Sequence, residues 1–282
     1  MENNLSKNSI ISSLGGRLGN LMFQIAHGYS QAITHQRDYF YPLIGTDAIH
    51  FKDSIFRNVK FFNGSIDELR KKHDTITLES TFHYTPISPV DDRITIFNGY
   101  YQSEKYFQEN KQQIKKLFSP TQEFIDRCLI DYPELKSNNV TVINVRRGDD
   151  YLGQPENHPV VTEEFIYKAL EYIPNKEYVY IVSDNLPWCK QALRIDNAKF
   201  IDYSGLDALW LLSLCKNFII SNSTFSWWGA FLGQKEDTIT VAPSTWFGPG
   251  VHSRGHYETD IYLDEWIKIP TKWNNGFIEL AD

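Results

Sequence analysis

The chain contains the stretch Val140-Thr-Val-Ile-Asn-Val-Arg-Arg-Gly-Asp149, in which an apolar run ends abruptly in two arginines and an aspartate. The apolar half is typical of a buried strand in a parallel sheet. Charged groups are costly to bury, so folding alone gives no reason for this ending. Ligands of open α/β sheets bind at the carboxyl ends of strands, and arginine grips phosphate through a bidentate fork. The stretch therefore predicts an α/β fold with a site for a phosphate-bearing ligand.

On the carboxyl side of this stretch, apolar runs alternate regularly with helical patterns. We predict strands over residues 140–146, 178–183, 198–202, 217–221 and 238–242. We predict helices over residues 162–173, 186–194, 206–216 and 224–234. Strands that alternate with helices indicate a parallel sheet with right-handed crossovers. The second half of the chain is therefore predicted to be a Rossmann-like domain.

The first half begins with a strand, a glycine-rich turn and a helix. An apolar segment at Ile10 runs into Gly15-Gly-Arg-Leu-Gly-Asn20, and apolar residues then recur at the spacing of one helix face. Residues 40–98 contain short aromatic runs broken by prolines, and a strand is predicted only at 94–97. Ser103 is the predicted N-cap of a helix through Phe118. The next four residues, 119–122, read as a capping box with proline at the first helical position.

A polar, turn-rich segment over residues 131–139 is the predicted domain boundary. We predict an N-terminal α/β domain over 1–135 and a C-terminal Rossmann-like domain over 136–282, with the last helix packing back on the first domain.

Composition excludes several classes of protein. The chain has 282 residues, of which 41% are hydrophobic and 22% are charged, as expected of a folded protein. The net charge of −7 argues against sequence-independent binding to nucleic acid. Three cysteines without Cys-x-x-Cys spacing suit a reducing compartment. No signal-peptide core and no long apolar run occurs, so a cytoplasmic location is expected; peripheral association with the inner membrane face stays open, although no basic amphipathic helix favours it.

Three polar clusters lie where a strand or turn meets a helix, and each has two interpretations. Gly15-Gly-Arg-Leu-Gly-Asn20 is a close-approach turn before a helix that favours an anion, or a tight turn with a surface arginine. Arg146-Arg-Gly-Asp149 is a diphosphate grip or a surface salt-bridge cluster. Ser221-Asn-Ser-Thr-Phe-Ser-Trp-Trp228 is a phosphate site at a helix start or ordinary N-capping. None of them has the Gly-x-Gly-x-x-Gly pattern or the P-loop lysine.

Two further observations concern the ligand. Asp184 ends the apolar run over 178–183, where it would bind ribose or base or would cap the next helix. The sequence has no Asp-x-Asp, no helix with His-x-x-x-His spacing and no carboxylate cluster of metal type. We therefore expect a metal-free site in which arginine and helix dipoles neutralise a diphosphate.

Taken together in chain order, seven motifs resemble the α-1,2-fucosyltransferases of glycosyltransferase family 11, of bacterial type. These motifs are Gly15-Gly-Arg-Leu-Gly-Asn-Leu-Met-Phe-Gln24, Gly99-Tyr-Tyr-Gln-Ser-Glu-Lys-Tyr-Phe107, Val145-Arg-Arg-Gly-Asp149, Ser183-Asp184, Asp207-Ala-Leu-Trp-Leu-Leu-Ser-Leu-Cys215, Ser221-Asn-Ser-Thr-Phe-Ser-Trp-Trp-Gly229 and Ala242-Pro-Ser-Thr-Trp-Phe247. They cover most of the chain. Each motif alone is weak evidence, whereas their common order is strong evidence.

The resemblance implies a GT-B-like fold, in which two Rossmann-like domains face a cleft. It implies GDP-β-L-fucose as the donor substrate, inversion at the anomeric carbon, no metal and no other cofactor. The acceptor would be the 2-hydroxyl of a terminal β-galactoside oligosaccharide, bound on the N-terminal side, and the product would belong to O-antigen or capsule biosynthesis.

The resemblance also implies roles for individual residues. Arg146 would hold the β-phosphate of the leaving GDP, and Asp149 would orient the site or contact the nucleotide. Glu104 is a candidate general base, although an acidic residue directly after an N-cap is also a routine partner of the helix dipole. The remaining donor-binding residues would be Gly16, Arg17, Asn20, Asn144, Asp184, Asn222, Ser223, Thr224, Phe225 and Ser226.

The chain departs from the family pattern at three positions. Asn144 stands where histidine is usual, Leu21 stands where glutamine is usual, and Asp150 displaces a tyrosine that usually follows the aspartate. These changes bear on donor affinity and acceptor preference. Two other functions stay open at this point. One is a different sugar-nucleotide-dependent glycosyltransferase of the same architecture, and the other is a non-catalytic carbohydrate-binding protein.

Overall fold

The protein is described by a computed structural model over residues 5–80 and 82–281. The chain divides into two compact units. The first comprises Met1–Ser119 with Thr259–Tyr262, and the second comprises Pro120–Glu258 with Leu263–Asp282.

The first unit opens on the predicted strand, turn and helix. Strand β1 (Ile10–Ser12) is fully buried and leads through the glycine-rich turn into helix α1 (Leu18–His35). The apolar stripe of α1 is buried, as its spacing predicts. The elements that follow are β2 (Tyr39–Pro42), β3 (Phe61–Phe62), α2 (Ile66–Lys72), β4 (Thr75–Glu79), β5 (Ile94–Asn98) and α3 (Lys111–Phe118).

Within the described residues of this unit, five strands form one parallel sheet in the order β3-β2-β1-β5-β4. Strand β1 lies in the centre, and one core face joins Ile11, Phe62, Leu69, Ile94 and Ile96. Residues 40–98 thus supply three strands and a helix that the sequence pattern does not reveal. Strand β3 has two residues, too few to show the alternation that identifies a strand.

The predicted helix from Ser103 to Phe118 is interrupted. Ser103 does cap a helical turn, because its hydroxyl accepts a hydrogen bond from the Lys105 N–H. However, two short 3₁₀ segments precede α3, which begins only at Lys111. The predicted capping box after this helix is also wrong, because Thr121 caps the next helix and proline precedes the cap.

The second unit contains the regular alternation predicted for it. Its elements are α4 (Gln122–Asp131), β6 (Val140–Val145), α5 (Asp149–Leu152), β7 (Val160–Val161), α6 (Glu163–Leu170), β8 (Tyr178–Ser183), α7 (Leu186–Ala192), β9 (Ala198–Ile201), α8 (Gly205–Leu214), β10 (Asn217–Ile220), α9 (Thr224–Gly233), β11 (Thr240–Pro243), α10 (Pro249–His252), β12 (Ile267–Ile269), β13 (Thr271–Asn274) and β14 (Phe277–Leu280). Each strand and helix predicted after residue 139 is present, with ends displaced by a few residues.

In the described part of this unit, six strands form a parallel sheet in the order β12-β11-β10-β6-β8-β9. Strand β6 is central, and all its residues are buried, which accounts for its continuous apolar character. A small second sheet joins β13, β14 and β7. The predicted α/β class, with a parallel Rossmann-like sheet in the C-terminal half, is confirmed, and the N-terminal half has a parallel sheet as well.

The boundary between the units differs from the predicted one. The first unit ends at Ser119, so α4 belongs to the second unit. The reason is packing: the Phe124 ring lies edge-on to the Trp210 ring at 5.2 Å, and Arg127 Nη2 lies 2.8 Å from Asp207 Oδ2. At the other end, no helix returns to the first unit among residues up to 281; the returning segment is the short stretch Thr259–Tyr262.

Two further findings concern the whole described chain. Among residues 5–80 and 82–281, no helix has the length and apolar character needed to cross a membrane. All three cysteines are buried free thiols. Burial raises the pKa of the Cys128 thiol and of the Cys189 thiol to about 11 each, so both stay protonated at neutral pH.

Candidate functional site

Two of the three polar clusters, together with Asp184, meet at one edge of the six-stranded sheet. Arg146 follows β6, Asp184 follows β8 and Ser221 follows β10, and these three strands are adjacent and parallel. The carboxyl ends of parallel strands share one edge of the sheet, which is where ligands of such folds bind. The Arg146 N–H donates to Ser221 Oγ at 3.0 Å and so joins the ends of β6 and β10 directly.

The Arg146 side chain is the centre of this edge. Its guanidinium carbon lies 4.8 Å from the centre of the Tyr151 ring. Its two terminal nitrogens pair with carboxylates, Nη1 with Asp184 and Nη2 with Asp150. Asp149, which was predicted to act here, is exposed, and the residue that pairs with Arg146 is its neighbour Asp150. The spacing of Arg146 and Asp150, four residues apart, was the signal for this pair.

Tyr151 and His158 form a stack beneath Arg146. The two rings are 4.9 Å apart and nearly parallel, and the Tyr151 hydroxyl donates to the Asn222 carbonyl at 3.1 Å. Burial raises the pKa of Tyr151 to about 12 and lowers the pKa of His158. Tyr151 is therefore a neutral support for the guanidinium at neutral pH.

Arg147 points away from Arg146, as alternation along an extended chain predicts. Its guanidinium carbon lies 4.1 Å from the Trp188 ring centre, and its Nη1 donates to the Val161 carbonyl at 3.2 Å. Burial lowers the pKa of Arg147. Arg147 is thus engaged in packing, which leaves Arg146 as the arginine of this pair that lies at the candidate site.

Several polar residues predicted to bind the donor are buried and hydrogen-bonded inside the unit. Asn144 Nδ2 donates to the Val182 carbonyl at 3.1 Å, and its Oδ1 accepts a hydrogen bond from the Ser226 hydroxyl. Asn222 Nδ2 donates to two carbonyls, those of Pro159 and Trp246, at 2.9 Å each. The structure places Asn144, Asn222 and Ser226 behind the surface of the site, and their predicted direct contact with a donor stays a prediction.

The start of α9 faces the same edge. Ser223 is its N-cap, and the Ser223 hydroxyl accepts a hydrogen bond from the Phe225 N–H at 3.3 Å. Thr224 and Phe225 are partly exposed, whereas Ser223 is buried. Helix α9 has ten residues and no acidic residue in its first turn, so its positive end is available to attract an anion.

The predicted residues of the first unit lie around its glycine-rich turn. Gly16 has a φ of +81°, and a side chain there would meet Asn20, since an added Cβ would lie 2.6 Å from Asn20 Nδ2. Arg17 precedes α1, and its side chain is exposed. Asn20 Oδ1 accepts a hydrogen bond from Gln102 Nε2 at 3.0 Å. The turn is thereby joined to the segment that contains the second motif.

Two glutamines that the sequence analysis did not single out hold these parts of the first unit together. Gln24 accepts a hydrogen bond from the Gly15 N–H at 2.9 Å and donates to the Gly99 carbonyl at 3.1 Å. Gln102 is the partner of Asn20. Gln24 is a buried polar residue within the apolar face of α1, which was the available signal for it.

Glu104, the candidate general base, is engaged in an ion pair. Lys111 Nζ lies 2.6 Å from Glu104 Oε1, and the Glu104 side chain is 16% exposed. The Glu104 carboxylate is therefore held by a cation of its own unit in this structure. The assignment of Glu104 as a base stays a prediction, and its local structure argues for a structural role.

Comparisons with known proteins extend these observations. A family model described as glycosyl transferase family 11 matches residues 11–270. An alpha-1,2-colitosyltransferase of Escherichia coli is 29% identical over an aligned length of 270 residues. The match covers 84% of this chain and 92% of that protein. The O-antigen biosynthesis glycosyltransferase WbnK of E. coli is 30% identical over 187 residues, which cover 61% of this chain and 59% of that protein.

A solved structure of a glycosyl transferase family 9 protein from Veillonella parvula is similar in fold. The TM-score is 0.52 at 10% identity, and the match covers 96% of this chain and 89% of that chain. This likeness concerns the fold alone and agrees with the predicted GT-B-like class. The family match extends over nearly the whole chain and includes the six-stranded sheet, the glycine-rich turn and the arginine edge described above. The chain is a glycosyltransferase that belongs to glycosyl transferase family 11.

Proposed function

We propose that this enzyme transfers L-fucose from GDP-β-L-fucose to the 2-hydroxyl of a terminal β-galactoside, with inversion at the anomeric carbon. The observation that carries the proposal is the position of the Arg146 guanidinium, at the carboxyl edge of the six-stranded sheet and beside the loop that starts α9. A family 11 enzyme needs a grip for the leaving diphosphate, and an arginine fork is suited to it. We further propose that the second unit binds the donor and the first unit binds the acceptor.

Two groups of the second unit could stabilise the negative charge of the diphosphate. One is Arg146, and the other is the positive end of α9, where Thr224 and Phe225 are partly exposed. Among the described residues, no group of three or more His, Cys, Asp or Glu side chains could hold a metal ion. We propose that Arg146 and the start of α9 take the place of a divalent metal in the transfer, which the experiment below tests with a chelator.

Direct displacement is the mechanism that we propose. The acceptor hydroxyl attacks the anomeric carbon of fucose while the bond to the GDP oxygen breaks, and the hydroxyl proton is released to solvent as negative charge develops on the diphosphate. Arg146 and the first turn of α9 would stabilise that charge. The gain is in the transition state because their positions are fixed beforehand by Tyr151 and by the Ser223 cap.

The donor sugar has a second candidate, colitose. The motifs resemble α-1,2-fucosyltransferases, whereas the relative aligned over 84% of this chain is named an alpha-1,2-colitosyltransferase. Colitose is fucose without its 3-hydroxyl group. A site that hydrogen-bonds this hydroxyl rejects the sugar that lacks it much more strongly than an apolar site rejects the sugar that has it. The preference between the two donors therefore reports whether a polar group faces the 3-position.

The test is product formation with GDP-fucose, GDP-colitose or a UDP-sugar, each with lactose or N-acetyllactosamine, in the presence of EDTA. We expect transfer from GDP-fucose and an α-linkage to the galactose 2-hydroxyl, read by NMR. Faster transfer from GDP-colitose would mean that colitose is the natural donor sugar, while the proposed linkage to the 2-hydroxyl would remain. Transfer from the UDP-sugar alone would favour another sugar-nucleotide enzyme. Acceptor binding without transfer from any donor would favour a carbohydrate-binding protein.

The relative named WbnK, a protein of O-antigen biosynthesis, suggests a class of acceptor. We propose that the natural acceptor is an oligosaccharide of bacterial surface glycan assembly, presented on the cytoplasmic side. Lactose and N-acetyllactosamine serve as its short analogues in the assay, because both end in a β-galactoside.

A further inference from the structure

The Arg146 guanidinium forms ion pairs with two carboxylates at the same time. Its Nη1 pairs with Asp184 and its Nη2 pairs with Asp150, so one positive charge faces two negative ones. The three side chains are 19%, 28% and 32% exposed for Arg146, Asp184 and Asp150, and solvent therefore reaches the group. The local charge has the wrong sign for an anion site, because two carboxylates already use one N–H donor on each terminal nitrogen of Arg146. A diphosphate that approaches the guanidinium is repelled by both carboxylates, and this repulsion favours the departure of one of them.

The two carboxylates differ in how firmly they are held. Asp184 follows β8, which pairs with β6 and β9 in the sheet, and its Oδ1 accepts a second hydrogen bond, from the Arg147 N–H at 2.7 Å. It also fits against Gly148, where an added Cβ would lie 2.5 Å from Asp184 Oδ2. Asp150 lies on α5, a helix of four residues that continues into the exposed residues 152–156. Asp184 is anchored to the sheet, whereas Asp150 lies on a short surface helix.

We infer that Asp150 is a displaceable counter-ion of Arg146. It holds the guanidinium on the Tyr151 ring until the donor arrives, and a diphosphate oxygen then takes its place on Nη2. Asp184 keeps Nη1 and fixes the direction of the fork, so it acts as a positioning residue. The inference rests on the proposed function, because it assigns the diphosphate of a sugar nucleotide to Arg146.

The exchange predicts opposite effects for the two aspartates. In Asp150→Asn, the diphosphate no longer competes with a carboxylate, and GDP should bind about two- to fivefold more tightly, the range expected of a partly exposed ion pair. In Asp184→Asn, Nη1 loses its anchor, and GDP should bind more weakly. If Asp150 were only a structural residue, its replacement would weaken binding as well.

The measurement is calorimetric titration of the full chain with GDP and, separately, with inorganic pyrophosphate. Glu156→Gln is the matched control, since Glu156 is an exposed acid close to Asp150 along the same segment and its replacement removes the same charge. We expect Asp150→Asn to bind both ligands more tightly than wild type and to lower the KM for the donor more than it changes kcat. Thermal unfolding of each variant verifies that the fold is retained.

Several results would overturn the inference. GDP affinity that is unchanged or lower in folded Asp150→Asn would do so, as would equal tightening in Glu156→Gln, which would indicate a general charge effect. Tighter binding in Asp184→Asn would refute the division of roles. A different outcome is that wild type binds pyrophosphate but not GDP, with tighter pyrophosphate binding in Asp150→Asn. In that case the displacement of Asp150 by a diphosphate would stand, and GDP as the nucleotide of the proposed function would be wrong. If wild type bound neither ligand, both would fail.

Discussion

Replacement of Gly148 by alanine should reduce activity while leaving the fold intact. Gly148 has φ −75° and ψ 167°, a conformation that alanine adopts freely, so the backbone gives no reason for glycine. The reason is space. An added Cβ would lie 2.5 Å from Asp184 Oδ2 and 3.1 Å from Asp150 Oδ1, whereas ordinary contact begins at 3.4 Å.

The size of the effect follows from these distances. The Asp184 carboxylate would have to retreat by about 0.9 Å, which is enough to break its hydrogen bonds to Arg147 N–H and to Arg146 Nη1. Each bond is partly exposed and contributes about 1 kcal/mol after discounting for solvent. A loss of about 2 kcal/mol in the positioning of Arg146 corresponds to about a thirtyfold fall in kcat/KM. The stability change is smaller, because Gly→Ala reduces the entropy of the unfolded chain by about 0.4–1 kcal/mol.

The assay compares kcat/KM for GDP-fucose, GDP affinity and thermal unfolding in wild type, Gly148→Ala and Gly153→Ala. Gly153 is the control because it lies at the other end of α5, and its added Cβ would meet only the Asp149 backbone oxygen, at 3.0 Å, and neither of the two carboxylates. We expect a large loss of kcat/KM only in Gly148→Ala. Full activity in a folded Gly148→Ala protein would refute the argument that the two carboxylates must approach this position closely.

Three further predictions concern Arg146, the ion pair of Glu104 and a buried histidine of α1, His27. Arg146→Ala should lower kcat by about 10²–10³-fold, and near-native turnover would contradict its role at the diphosphate. Glu104→Gln should leave the acid limb of the pH–rate profile in place because Glu104 pairs with Lys111; loss of that limb would identify Glu104 as the base. Burial lowers the pKa of His27 to about 3, so the unfolded chain takes up a proton below about pH 6.5 that the folded chain does not, and stability falls as the pH drops from there. Between pH 7.5 and pH 5, the free energy of unfolding should therefore fall by about 2 kcal/mol less in His27→Phe than in wild type, as measured by urea unfolding at both pH values. An equal fall in both proteins would contradict the assignment.

The second unit could be predicted from the sequence because its strands are buried on both faces. Such strands read as continuous apolar runs, and β6 and β8 are examples that stand out from the helices between them. The first unit offers weaker signals. Strand β4 is only partly buried and β3 has two residues, so neither gives a pattern long enough to recognise. The position of β4 in the sheet is set by its pairing with β5, and no local sequence pattern shows that pairing.

The domain boundary could not be found from composition. The segment over 131–139 is polar and turn-rich, but a turn marks a boundary only if few contacts cross it. Here α4 precedes that segment and packs through Phe124 on Trp210 of α8. That contact joins residues far apart in the sequence, and the amphipathic pattern of α4 does not say which core its apolar face joins.

The roles of the polar residues at the strand ends illustrate a general limit. Asn144 lies near the end of β6 and Arg146 directly follows that strand, and both are polar after a run of apolar residues. Only the structure shows that Asn144 has both ends of its amide occupied by Val182 and Ser226, while the Arg146 side chain reaches the exposed edge. The two hydrogen bonds of the buried Asn144 amide hold the end of β6 in place, and the position of the strand end determines where Arg146 begins. The amide in place of the usual histidine therefore need not weaken donor binding directly. Its replacement by alanine should act through the position of Arg146, because it would leave the Val182 carbonyl and the Ser226 hydroxyl without their partner.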